Sequence, residues 1–217
     1  MSKIASRFLT AESSVNQLLS QPSALSFGGT SEEEHRIWRK AFRRKLIKNL
    51  GPKPEPVPQE VEILEHTQMD GYIREKIIFN PDPFSSIPAY VLTPDKASRK
   101  NKHPAVLCSH GHGMGKDPLV GLEEDYQKQF AVELTRNGFI TISPDWRCFG
   151  ERRDRDEWVR RSGRDGCNVA YFAFGYFGYQ LLQLDICDAQ QCLDYLQSRA
   201  DVDKKRIGCM GCYSVEQ

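Results

Sequence analysis

Apolar and polar positions alternate along this chain with three different rhythms. Residues 1–30 are rich in Ser and Gln and weakly patterned, which predicts a flexible N-terminal arm with a short helix around Ser14–Leu19. From Ser31 the rhythm becomes helical, with Ile37, Trp38, Ala41, Phe42, Lys45 and Leu46 at helix spacing. Ser31-Glu32-Glu33-Glu34 reads as an N-cap with an acidic first turn, Glu34 at the capping-box position, and Gly51-Pro52 as the stop. The leading helix is predicted over 31–51. A proline-rich link at 52–58 separates it from sheet and helices over 59–217, and 31–217 is read as one domain.

After the link, three runs carry strand-like patterning: Val61–Thr67, Tyr72–Phe79 and Ile87–Leu92. Asp70-Gly71 is a hairpin turn and Pro81-Asp82-Pro83 marks a second, so the runs predict an antiparallel meander. The rhythm then alternates strand and helix. Strands are predicted at Pro104–Ser109, Phe139–Ser143 and Arg206–Gly211, and helices at Glu123–Asn137 and Phe177–Ser198. A charged loop at Glu151–Arg164 precedes the second helix. Such alternation implies parallel strands joined by right-handed crossovers. The predicted fold class is α/β: a mostly parallel sheet with an antiparallel N-terminal meander, flanked by helices.

Composition narrows the function classes. The 217 residues are 39% apolar and 27% charged, ordinary for a globular protein with a core of its own. A net charge of +1 gives no global pull toward nucleic acid or an anionic membrane. The helix at 31–51 carries a basic run (Arg36, Arg39, Lys40, Arg43, Arg44, Lys45, Lys48) that reads as a solvated face rather than an anion site. No secretory layout opens the chain, and no apolar run nears the ~20 residues of a membrane span. Seven irregularly spaced cysteines suit reduced thiols and a cytoplasmic location. Gly111-x-Gly113-x-Gly115 lacks dinucleotide-binding spacing and no phosphate loop is present, so no cofactor is expected.

Ligands of open α/β sheets bind beyond the carboxyl ends of the strands, and three such ends are chemically loaded. Ser109-His110-Gly111-His112-Gly113-Met114-Gly115 is a glycine-rich turn able to aim backbone N–H groups at a substrate oxygen. Asp145-Trp146-Arg147 opens a segment running to Arg152, whose acid, aromatic and arginines shape a pocket or pair as structural ions. Gly211-Cys212-Tyr213-Ser214 approaches the Gly-x-Ser-x-Gly elbow, where a tight strand-to-helix turn displays a nucleophile. The aromatic run Tyr171–Tyr179 packs loop and helix against the core, or lines an acyl or sugar site. Two other chemistries fit less well. His110-x-His112 resembles the start of a metallo-hydrolase zinc motif but lacks the Asp-His pair that should follow, so no metal is assigned. Cys209-x-x-Cys212 has redox spacing, but Cys209 lies within a strand and two core thiols are the better reading.

In order and spacing these pieces resemble the α/β-hydrolase superfamily, in its dienelactone-hydrolase and acetyl-xylan-esterase-like branch. The resemblance rests on the helix ending Leu50-Gly51, the meander, His110-Gly111-His112-Gly113 and Asp145-Trp146-Arg147-x-Phe149-Gly150-Glu151. It rests also on Asp165-Gly166-Cys167-Asn168 and Asp201-Val202-Asp203-x-x-Arg206-Ile207-Gly208. It implies ester hydrolysis through an acyl-serine, a small-molecule ester substrate and no cofactor. It further implies that the His112 backbone N–H is an oxyanion donor, within a pocket of Gly111, His112, Gly113, Asp145, Trp146 and Arg147. His110 would brace the loop.

The elbow departs from the family pattern. Tyr213 stands where the serine belongs and Val215 where the second glycine belongs, leaving Ser214 one place late as the catalytic candidate. All five histidines precede the elbow, whereas the family order is Ser, acid, His. The expectation is therefore a hydrolase fold lacking its C-terminal part and catalytically incomplete, or a non-enzymatic relative. Arg206–Gly211 would then be an exposed edge able to self-associate.

Overall fold

The computed structural model describes residues 9–153 and 166–211. The chain divides into two compact units, Met1–Asn49 and Leu50–Gln217.

In the first unit, α1 (Ala11–Leu19) starts at a capping box: the Thr10 hydroxyl accepts from the Ser13 N–H and the Ser13 hydroxyl from the Thr10 N–H, both at 3.3 Å. That cap carries the helix three residues upstream of Ser14. The helix α2 (Glu32–Leu50) starts as its sequence predicts, with Glu34 accepting from the Ser31 N–H at 3.0 Å and donating its own N–H to the Ser31 hydroxyl at 3.3 Å. Trp38 anchors the preceding loop by donating to the Leu25 carbonyl at 2.7 Å, and its ring packs on Phe27 and Phe42. Gly51, at φ +78°, ends the helix in the left-handed region that favours glycine.

The second unit is built on a six-stranded sheet among the described residues: β1 (Glu62–Gln68), β2 (Tyr72–Asp82), β3 (Ser85–Pro94), β4 (His103–Ser109), β5 (Ile140–Pro144) and β6 (Val202–Gly211). Its order is β1-β2-β3-β5-β4-β6. β1 to β3 form the expected antiparallel meander, β3 pairs antiparallel with β5, and β5, β4 and β6 run parallel. The second meander turn falls one residue later than predicted. β2 runs through Asp82, whose carboxylate accepts from the Phe84 N–H at 2.9 Å and from the Ser85 hydroxyl at 2.8 Å, shaping the turn itself.

Among the described residues, helices α3 (Phe130–Arg136), α4 (Gly166–Tyr176) and α5 (Leu181–Ser198) accompany the sheet. One face of the sheet buries Ile77, Ile87, Val91, Leu107 and Ile142 against Cys192 and Leu196 of α5. The other buries Leu92, Val106 and Cys108 against Ala131 and Val132 of α3. Both faces are covered, so β4 reads as a continuous apolar run rather than an alternating one. β6 pairs only with β4 among the described residues, and Gly208–Gly211 are exposed.

Two helix predictions need correction. The helix expected over Glu123–Asn137 is only Phe130–Arg136, because Lys128 and Gln129 take φ +48° and +45°, outside helical space. Ahead of them the Asp125 carboxylate captures the Gln127 N–H at 2.6 Å, as a turn does. The helix expected over Phe177–Ser198 begins only at Leu181, and a separate helix, Gly166–Tyr176, precedes it. Gly178 at φ +83° breaks the path, with Tyr179 N–H donating back to the Phe174 carbonyl at 2.9 Å and Gly178 N–H to Gly175 at 3.0 Å. This closing pair terminates α4 and lets α5 start afresh. Within the aromatic run, Phe174 packs on the cluster of Cys148, Ala170 and Leu181, but Tyr171, Phe172, Tyr176 and Phe177 are exposed rather than packed. Of the charged loop Glu151–Arg164, only Glu151–Arg153 falls within the described residues.

A β-carbon at Gly178 would meet nothing within 4 Å, so only the backbone resists substitution there. Gly178→Ala should lower stability by about 1–2 kcal/mol, measured as a lower urea midpoint at unchanged slope.

Candidate active site

β4 and β5 are parallel neighbours, so their carboxyl ends deliver the loops 109–115 and 145–152 side by side. β6 arrives on the other side of β4, with Gly211 in register with Ser109. A β-carbon on Gly211 would lie 3.2 Å from the Ser109 β-carbon, so glycine permits the close approach at which the elbow begins. Ser214 itself lies outside the described residues, as do Cys212 and Tyr213.

His110 holds the two loops together. Its Nδ1 lies 2.7 Å from the Gly111 carbonyl, which can only accept, and its Nε2 lies 3.0 Å from the Trp146 N–H, which can only donate. The ring is therefore neutral with its proton on Nδ1. Burial pushes its pKa down, against the pull of the Gly111 carbonyl and the Asp145 charge. The Ser109 hydroxyl accepts from the Trp146 indole N–H at 2.8 Å, and Phe149 sets its ring edge-to-face against both His110 and His112. A metal on His110 would have to displace the Trp146 amide. No group of three or more His, Cys, Asp or Glu able to hold a metal exists among the described residues.

The glycine-rich turn is pinned from below by Gln127, a residue the sequence reading overlooked. Its buried side-chain oxygen accepts from the Gly111 N–H at 2.7 Å, and its amide nitrogen donates to Asp125 at 2.9 Å. The Gly111 N–H is thus engaged within the protein. His112 is exposed, with its Nε2 3.5 Å from the Cys167 sulfur and its carbonyl accepting from the Tyr126 hydroxyl at 3.4 Å. The Gly113 carbonyl accepts from Arg153 at 3.4 Å.

Asp145 and Arg147 are interior ions. The fully buried Asp145 carboxylate accepts from the Lys116 ammonium at 2.7 Å, the Lys116 N–H at 2.8 Å and the Glu151 N–H at 3.0 Å. Burial alone would lower the Lys116 pKa, but Asp145 and Glu151, the latter 2.6 Å away, hold it above the ordinary lysine range. Gly115 at φ +100° is required beside this pair, because a β-carbon there would sit 2.5 Å from the Asp145 carboxylate. Arg147 bridges Asp82 of the meander at 2.9 Å and Asp188 of α5 at 2.8 Å, and Arg152 reaches Asp188 at 2.7 Å. Gly111, His112, Gly113 and Trp146 are thus brought together at the ends of β4 and β5, while Asp145 and Arg147 clamp the loop from within.

Cys209 also differs from expectation. It is exposed rather than a core thiol, because β6 is flanked only by β4 among the described residues.

Known proteins place this architecture. A family model described as "Abhydrolase family" matches residues 1–216. "Putative hydrolase YtaP" of Bacillus subtilis (strain 168) is 31% identical over 175 residues, covering 78% of this chain and 54% of that protein. Among solved structures, a "putative acetyl xylan esterase" from Bacteroides fragilis superposes with TM-score 0.78 at 25% identity, covering 95% of this chain and 55% of that one. A methylesterase superposes at TM-score 0.54 and 26% identity, over 80% of this chain and 34% of that one. The chain thus spans about half the length of YtaP and of the Bacteroides fragilis esterase.

Two predictions follow from the ion clusters. Asp188→Asn should cost about 3–5 kcal/mol in chemical denaturation, because Arg147 and Arg152 lose the charge that compensates their burial. Asp185, whose carboxylate accepts from the Arg147 N–H at 3.3 Å, has its pKa raised to about 6 by burial and by Asp188. A raised carboxyl favours folding below its unfolded pKa, and that contribution is lost as pH rises through about 6. Asp185→Asn should therefore stabilise the protein by about 1–3 kcal/mol at pH 8, with the advantage vanishing near pH 4.

With its match over 1–216 and its hydrolase-like sheet, the chain belongs to the abhydrolase family of the α/β-hydrolase superfamily.

Proposed function

We propose that this chain serves carboxylic-ester hydrolysis on a small-molecule substrate, with the 109–115 turn as the oxyanion side of the site. The observation that carries the reading is the placement of His112-Gly113 at the carboxyl end of β4, braced by a neutral His110 and by Gln127 and flanked by the start of the elbow at Gly211. A rigid turn of this kind keeps backbone donors aimed where negative charge develops on a carbonyl oxygen. The His112 N–H is the proposed donor, and Trp146 forms a wall of the pocket. Ser214 is the proposed nucleophile. The acetyl xylan esterase and methylesterase likenesses support an ester as the bond cleaved.

A second reading, a non-catalytic relative, has one observation in its favour. Tyr213 and Val215 occupy the positions where the elbow pattern has serine and glycine, and the one-residue offset would turn Ser214 away from the oxyanion donors. We further read the cysteine usage as cytoplasmic, and the edge at 206–211 as a surface for self-association. No helix among the described residues is long and apolar enough to cross a membrane.

Hydrolysis of a short-chain aryl ester by the 217-residue chain, beside Ser214→Ala and Tyr213→Ala, tests the proposal. Turnover that falls by at least ~10³-fold in Ser214→Ala alone would support Ser214 as the nucleophile. A folded chain without turnover would remove the activity and leave the non-catalytic reading. Sedimentation that shows no dependence on protein concentration would remove the edge proposal.

A further inference from the structure

The described cysteines differ in what surrounds each sulfur. Cys108 is fully buried, and burial pushes its thiol up to about 12. Cys192 is equally buried and likewise raised, and burial also raises Cys187. Cys148 is buried beside Ala170 and Leu181. Cys209 is exposed on β6. Cys167 has an imidazole drawn up to it: its Sγ lies 3.5 Å from His112 Nε2, a hydrogen-bond distance for sulfur.

Two features make that contact more than a passing one. The His112 ring is seated edge-to-face on Phe149 at 5.0 Å, and Phe149 is in turn packed on the buried His110. The imidazole thus has an internal support. Cys167 is the second residue of the eleven-residue helix α4, which fixes its backbone beside the turn. It is only partly covered, so a small molecule can reach the sulfur. Nearby, Arg153 bonds the Gly113 carbonyl and the Tyr126 hydroxyl bonds the His112 carbonyl.

We propose that Cys167 and His112 form a nucleophile–base pair that captures soft carbon electrophiles, of which an α-halo amide is the simplest. In that step the thiol proton passes to His112 Nε2, the sulfur forms a bond to the α-carbon, and the halide leaves with the electrons of its own bond. The imidazolium then returns its proton to water. No oxidant or further reactant is needed, and neither Ser214 nor the His112 backbone N–H takes part. The pair therefore stands apart from the ester-hydrolase reading. Its adduct would crowd the His112-Gly113 turn.

Iodoacetamide labelling of the folded chain at pH 7, followed residue by residue through peptide mass spectrometry, tests the pair. Cys167 should be alkylated about 10-fold faster than the more exposed Cys209. His112→Ala should slow Cys167 by about 10-fold and leave Cys209 unchanged. Cys167 reacting no faster than Cys209 would overturn the proposal, as would a Cys167 rate indifferent to His112→Ala in a folded variant. The comparison within the unaltered protein needs no variant, so it decides the matter even if His112→Ala does not fold.

Discussion

One buried carboxylate sets the geometry of the functional end. Asp145 has no solvent contact, and Lys116 and two backbone N–H groups close around its carboxylate. Removing the Lys116 charge would leave the Asp145 carboxylate in the interior without its ammonium partner, which costs several times what a surface ion pair is worth. The residues beside it obey the same constraint. Gly115 and Gly150 must lack side chains, because Asp145 occupies the space a β-carbon would take. A second cluster continues the clamp: Arg147 and Arg152 tie the loop to Asp188 on α5, and Arg147 also to Asp82 at the meander turn. Through this one loop the meander, the parallel strands and the helix on their face share common charges.

The clamp leaves the exposed chemistry to neighbouring atoms. With Asp145 and Arg147 engaged inside, the groups presented outward at the strand ends are His112, Gly113 and the half-buried Trp146. His110 divides the two zones. Its fixed tautomer accepts the Trp146 N–H, so a proton gained in acid would break the contact that holds the loops together. A base placed there would be poorly suited to catalysis; a strut is what the surroundings permit.

The sheet was legible because strand rhythm and turn residues agree: Asp70-Gly71 closes the first hairpin, and the apolar stretch of β4 announces cover on both faces. The brace at His110 was implied by the family resemblance, and its contacts to Gly111 and Trp146 supply the physical reason. Helix ends were less legible. The left-handed Lys128 and Gln129 carry no sequence mark, and Gly178 among aromatics looks like one more small residue within a helix. The ion clusters were half visible. Asp145 and Arg147 stood out, but their partners lie far along the chain, at Asp82, Lys116 and Asp188. Asp188 did leave a signal: it sits in the stripe Leu181, Leu184, Cys192, Leu196, at the spacing of a buried helix face. An acid on such a stripe must meet a cation. Gln127 left none, since a glutamine in a polar turn looks solvated.

The strand order carries a temporal consequence. The meander pairs neighbours in sequence and can form as it leaves the ribosome. β4 cannot do so, because β5, made later, takes the place beside β3, and β6 arrives later still on the far side. Until β5 is synthesised the apolar stretch of β4 has neither of its strand partners, and until β6 is synthesised it has only one. Pairings of such long sequence separation are slow to form, and the waiting strand is open to wrong partners. During synthesis, β4 is the segment with most reason to recruit a chaperone.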